Sequence, residues 1–139
     1  MTALAPAASI DRPRLLSLLW IFLVLNFIYC DVLSLHDSAV LSGLVAGHAG
    51  PLEITPAFLL AASLLMEVPM AMVVVSRLTR RVGNRIANIA AGTFMIVVQI
   101  GSLFAAVPPS PSYLFFSVVE VATLAGIVVL ALRWKKSAR

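Results

Sequence analysis

The sequence predicts an all-α membrane protein: a transmembrane four-helix up-down bundle with N and C termini cytoplasmic. Three observations carry that prediction. First, 61% of the 139 residues are hydrophobic and 12% are charged, and the mean hydropathy of +1.04 lies well outside the range of soluble domains. Second, the chain contains four apolar runs, each reaching the roughly 20 residues needed to cross about 30 Å of hydrocarbon. Third, all ten Lys and Arg residues fall on one side of that pattern. Arg12 and Arg14 precede the first run, Arg77, Arg80, Arg81 and Arg85 separate the second from the third, and Arg133, Lys135, Lys136 and Arg139 follow the fourth. The connections His36 to Pro56 and Pro108 to Ser112 carry no basic residue. Basic flanks are retained on the cytoplasmic side during insertion, so the asymmetry sets a topology.

Taken in order, residues 1–13 read as a disordered cytoplasmic tail, 14–134 as the four-helix domain and 135–139 as a basic cytoplasmic tail. The expected spans are about 15–35, 57–77, 86–107 and 112–133. The first run is longer than a signal-peptide core and reads as a retained span. In the first outer loop, Asp37 can cap a short amphipathic helix ending near Gly47, with Val40, Leu41, Leu44 and Val45 on one face. An irregular surface loop is the alternative. Thr55-Pro56 and Ser110-Pro111 each place a capping hydroxyl before a proline suited to the first helical position. Gly83-Asn84 is expected to supply the turn between the second and third spans. Trp134 and Tyr113 suit interfacial anchoring, and so does Trp20 unless its position in the first span is too deep for that role.

Several functions are disfavoured by composition. One bundle uses almost the whole length and leaves no room for a soluble catalytic domain. The net charge of +4 is accounted for by topology and by anionic lipid headgroups rather than by nucleic acid. Cys30 is the only cysteine, so no redox pair forms within one chain. No nucleophile–base pair, phosphate loop or nucleotide motif is visible, so no catalytic residue and no cofactor is assigned. Met66 and Met70, with Met95, could offer soft sulfur to Cu(I), but methionine is also ordinary packing material; no metal site is assigned.

The chemistry-bearing residues are acids inside the spans. Asp31, Glu67 and Glu120 lie within the apolar runs with no Lys or Arg there to pair with them. At about 1.5 Å per residue they fall roughly 6, 15 and 10 Å below the outer boundary, respectively, which brings them towards a common level. An acid at the centre of a membrane helix costs about 2.5–3.5 kcal/mol on insertion scales, so all three are expected to face a bundle interior. Each shares a helix face with polar residues: Asp31 with Ser34, Glu67 with Ser63, and Glu120 with Ser117 and Thr123. Asn88 and Gln99 form a stripe on the third span with Gly92, Met95 and Ser102. The ligand- or proton-binding set is therefore Asp31, Glu67, Glu120, Gln99, Asn88, Ser63, Ser117 and Thr123. Glu67 is the expected centre, because it lies deepest and Pro69 beside it should break the helix and free backbone acceptors.

Three unpaired carboxylates cannot all be ionised in an apolar interior, so the pocket would hold protons or accept a cation or small lipophilic amine. The same polar groups could instead serve as interhelical hydrogen-bond glue. Two further readings are a membrane-embedded enzyme of isomerase type using paired carboxylates and a non-catalytic subunit of a larger complex. Small residues at four-residue spacing, such as Ala57/Ala61 and Ala122/Gly126, also allow close approach of helices within the chain or in a homo-oligomer.

Tyr29-Cys-Asp31-Val-Leu-Ser-Leu35, Leu65-Met-Glu67-Val-Pro69-Met-Ala-Met72, Arg85-Ile-Ala-Asn88-Ile-Ala-Ala-Gly92 and the span around Glu120 resemble a family of small bacterial four-helix membrane proteins whose domain has no known function. The resemblance covers about residues 14 to 134 and implies a multi-pass protein of the bacterial plasma membrane. It implies no activity. Small multidrug transporters and sterol-isomerase-like bundles share the layout only at the level of fold.

Overall fold

The computed structural model describes residues 11–105 and 109–134. Residues 1–10 of the expected N-terminal tail (1–13) and all of the expected C-terminal tail (135–139) lie outside the described residues, as do residues 106–108, whereas Arg12 and Pro13 already belong to the first helix. In chain order the elements are α1 (Arg12–Ser34), α2 (Ser38–Val45), β1 (His48–Ala49), β2 (Leu52–Glu53), α3 (Pro56–Leu78), α4 (Arg81–Ala105) and α5 (Pro111–Leu132). The four longer helices α1, α3, α4 and α5 are each long and apolar enough to cross a membrane.

Local chemistry sets most of the boundaries. The Asp37 carboxylate accepts from Ala39 N–H at 2.9 Å and starts α2. The Thr55 hydroxyl accepts from Phe58 N–H at 3.1 Å, and the Ser110 hydroxyl accepts from Tyr113 N–H at 3.2 Å. Each places proline in the first turn, where its missing N–H costs nothing. After α2 the chain forms a two-residue antiparallel ladder, His48 opposite Glu53 and Ala49 opposite Leu52, where the sequence pattern predicts no strand. Gly47 (φ 85°) and Gly50 (φ 59°) supply the left-handed backbone for this reversal, which side chains with a Cβ rarely adopt. The short helix expected between the first two spans is therefore present. Its principal packing partner is β1, while Val40, Leu41 and Val45 are left exposed.

Two local expectations are corrected. The turn between α3 and α4 falls at Thr79-Arg80, not at Gly83-Asn84, because α4 already begins at Arg81. Thr79 closes α3 itself, its hydroxyl donating to the Val75 carbonyl at 2.6 Å. Pro69 does not break α3, which continues through it to Leu78 with the proline ring buried. Neighbouring helices tolerate such a proline by covering the bond it removes.

The four long helices form a closed ring in which α1 touches α3 and α5, and α4 touches the same two. The core runs along its axis: Leu16, Trp20, Leu23 and Phe27 from α1, Met72 from α3, Met95 from α4, and Leu124 and Ile127 from α5. Trp20 is wholly buried in this core, so of the two readings of this residue the deep one holds and not the interfacial one. Gly92 makes the α4–α5 contact close, since a Cβ there would come 2.7 Å from Val128 Cγ2 and 3.8 Å from the Leu124 carbonyl. Outward, Leu18, Phe22, Leu25, Leu60, Leu64, Phe94, Val97, Phe115 and Val118 are exposed, as lipid contact requires.

Arginines tie one end of the ring together. Arg12 Nη1 donates to the Arg133 carbonyl at 2.8 Å, and Arg81 Nη2 donates to the Trp134 carbonyl at 2.9 Å. Arg77 Nε donates to Ser17 Oγ at 3.1 Å. The start of α1, the α3–α4 turn and the end of α5 therefore share one basic end, and the hairpin lies towards the other.

Candidate functional site

Polar side chains enter the bundle in two layers. The layer nearer the basic end is built from Ser17 and Trp20 on α1, Ser76 on α3, and Asn84 and Asn88 on α4, all fully buried. Asn88 Oδ1 accepts from Trp20 Nε1 at 2.7 Å and from Ser76 Oγ at 3.3 Å. Its Nδ2 donates to Asn84 Oδ1 at 2.7 Å and to the Asn84 carbonyl at 2.9 Å. Asn84 Nδ2 donates to the Ser76 carbonyl, and Ser17 Oγ donates to the Val73 carbonyl at 2.9 Å. This layer is a satisfied network. Asn88, expected among the ligand-binding residues, spends its amide on three helices.

The outer layer is less complete. Gln99 Nε2 on α4 donates to Ser117 Oγ on α5 at 3.0 Å. Ser102 Oγ donates to the Gln99 carbonyl at 2.7 Å, and Tyr113 OH donates to Ser102 Oγ at 2.7 Å. One turn along α5 from Ser117 stands Glu120, 1% exposed, whose Oε1 is buried without a hydrogen-bond partner among the described residues. Cys30, buried on α1, and Asp31 beside it lie within electrostatic range of that carboxyl. A buried carboxylate oxygen with no donor is costly, because nothing replaces the water it has lost.

The structure therefore brings together Glu120, Ser117 and Gln99, with Asp31 at the margin, exposed on the outer part of α1. Thr123 is half-buried on α5 and returns its hydroxyl to the Val119 carbonyl at 2.8 Å. Glu67 and Ser63 differ from expectation: both are exposed on the outer face of α3, and Ser63 Oγ donates to the Leu59 carbonyl at 2.8 Å. The cause is helix rotation. Pro69, Met72 and Ser76 are the residues that α3 buries, and their direction turns Glu67 away from the axis. Met66 and Met70 share the exposed surface, whereas Met95 is in the core, so the three sulfurs do not converge. Among the described residues no three His, Cys, Asp or Glu side chains group as a metal site. His36 Nδ1 lies 3.0 Å from the Val32 carbonyl.

The sequence reading missed Ser17, Trp20, Ser76 and Asn84 as a buried polar set. The four-residue spacing of Asn84 and Asn88 was the available signal, since it stacks two amides on one helix face. Assigning Asn84 to a turn concealed it.

Four membrane-length helices closed around an apolar core that two polar layers interrupt define the class: a small polytopic helical-bundle membrane protein. The chain belongs to the family described as Family of unknown function (DUF6326), whose match covers residues 8–139. No curated protein and no solved structure matches it.

The inner network generates a stability prediction. Asn88→Ala leaves Trp20 Nε1 without its acceptor and Asn84 Oδ1 without its donor in a buried layer, which should lower stability by about 1–3 kcal/mol. Reversible unfolding in mixed micelles checks this; Asn26→Ala, whose parent side chain only returns to the Phe22 carbonyl of its own helix, should cost far less.

Proposed function

We propose that this protein resides in the bacterial plasma membrane with its basic end cytoplasmic, and that Glu120 binds a proton or small cation, such as a lipophilic amine, within the bilayer. The observation that carries the reading is the buried Glu120 carboxyl with an unpartnered oxygen. An ionised carboxylate there needs a positive partner, and a neutral one needs a proton; the two occupants compete for the same oxygens. Ser117 and Gln99 supply neighbouring polar atoms, and Asp31 offers an exposed carboxylate between the site and the outer surface. Binding is favoured over isomerase-type catalysis because Glu120 is the only buried acid among the described residues, so the interior lacks the acid–base pair such chemistry uses.

Cation binding at Glu120 should weaken as pH falls, because protons compete for the carboxylate, and it should release a proton at pH values where the empty site is protonated. Glu120→Gln keeps the shape of the protonated side chain and should leave the protein folded while abolishing that pH dependence. Titration of a fluorescent lipophilic amine into protein in nanodiscs measures both quantities. Unchanged pH-dependent binding by the folded variant would remove Glu120 from the site.

The topology has its own test. With Arg80→Cys in a Cys30→Ala background, a membrane-impermeant thiol reagent should label permeabilised cells and spare intact ones. Labelling of intact cells would invert the orientation.

A second reading, a subunit of a larger assembly, is favoured by the exposed Glu67 on α3. A carboxyl facing hydrocarbon costs about 2.5–3.5 kcal/mol, and a protein neighbour relieves that cost. Glu67→Leu should then leave the chain folded but dissolve its assemblies, as read by cross-linking in native membranes; an unchanged cross-linking pattern counts against this interface.

A further inference from the structure

At the basic end, α4 and α5 part to leave a groove of about 580 Å³. Its rim carries Arg81, Arg85 and Trp134, and its wall carries Ile86, Ile89 and Leu132. Arg81, Arg85 and Ile89 follow one another at four-residue spacing on α4, so a single helix face passes from two guanidinium groups to apolar surface. The isoleucines lie further from the basic end than the arginines, towards the middle of the membrane. Among the described residues no acidic side chain lines the groove. Arg81 is held in place by its bond to the Trp134 carbonyl, yet its Nε is buried with no acceptor among the described residues. Arg85 is exposed.

We propose that this groove binds one phospholipid with an anionic headgroup. The phosphate and its neighbouring hydroxyls meet Arg81, Arg85 and the Trp134 indole, and an acyl chain lies along Ile86, Ile89 and Leu132. Charge complementarity selects the occupant. Two guanidinium groups attract a net negative headgroup, whereas the ammonium of a zwitterionic lipid would be brought against like charge. The groove also lies where such a lipid sits, at a helix end carrying arginine and tryptophan, the residue types that mark the headgroup level. The second groove between the same helices, lined by Ile100, Leu103, Leu114 and Val118, has no charged residue at its wall and cannot make this selection.

The test is native mass spectrometry of the purified full chain in detergent, with equal amounts of phosphatidylglycerol and phosphatidylcholine of identical acyl chains. The wild-type protein should retain phosphatidylglycerol about tenfold more than phosphatidylcholine, and Arg85→Gln should reduce that preference about fivefold. Arg14→Gln, which removes an exposed arginine from α1 away from the groove, should leave the preference unchanged. A parallel sample with millimolar inorganic phosphate separates a lipid site from a free-phosphate site, since the lipid should stay bound. Equal retention of the two lipids overturns the proposal. So does wild-type preference in Arg85→Gln, an equal loss in Arg14→Gln, or displacement of phosphatidylglycerol by phosphate.

Discussion

The hydrogen bond from the Trp20 indole to the Asn88 amide is the contact on which the bundle depends. It crosses the ring from α1 to α4, two helices that are not ring neighbours. Ser76 on α3 shares the same acceptor, so one amide fixes the rotation of three helices at once. In hydrocarbon, apolar side chains are as content against lipid as against each other, so burying leucine gives little preference for one packing over another. Directional bonds and close backbone approach supply that preference. About one turn of helix beyond Asn88 lies Gly92, where the missing Cβ leaves room for Val128 of α5. Together the network and the glycine place α4 relative to its three companions.

That placement decides which acids matter. Once α3 turns Pro69, Met72 and Ser76 inward, Glu67 must look out. Once α5 turns Ser117, Leu124 and Ile127 inward, Glu120 must look in. The outer layer then differs in kind from the inner one. Inside the Asn88 network the side-chain amide and hydroxyl groups find protein partners, which suits a structural tie. At Glu120 one carboxyl oxygen is left without a donor, which suits an exchangeable occupant.

The basic end works on different physics. Arg12 and Arg81 donate to carbonyls at the end of α5, and Arg77 reaches Ser17 on α1. Arg12 and Arg81 therefore satisfy carbonyls that a helix end leaves over. Arg12, Arg77 and Arg85 are exposed, so the anionic lipid proposed for this end would be bound without the desolvation cost that burdens Glu120.

The helices, their caps and the one-sided distribution of arginine and lysine were legible in the sequence, because each depends on residues close together in the chain. Asp37, Thr55 and Ser110 cap within two or three residues, and a span needs only a sufficient apolar run. The inward face of α4 was legible from its polar stripe, since Asn88, Gly92, Met95 and Gln99 are all buried, whereas that of α3 was not. A soluble helix announces its buried side by an apolar stripe, but apolar residues surround α3, since lipid accepts them as readily as the core does. Glu67 and Glu120 each sit beside serine at helical spacing, and nothing local distinguishes them. Only the mutual packing of four helices, keyed by Trp20, Asn88 and Gly92, left Glu120 buried and Glu67 exposed, because rotation about a helix axis is set by neighbours distant in the chain.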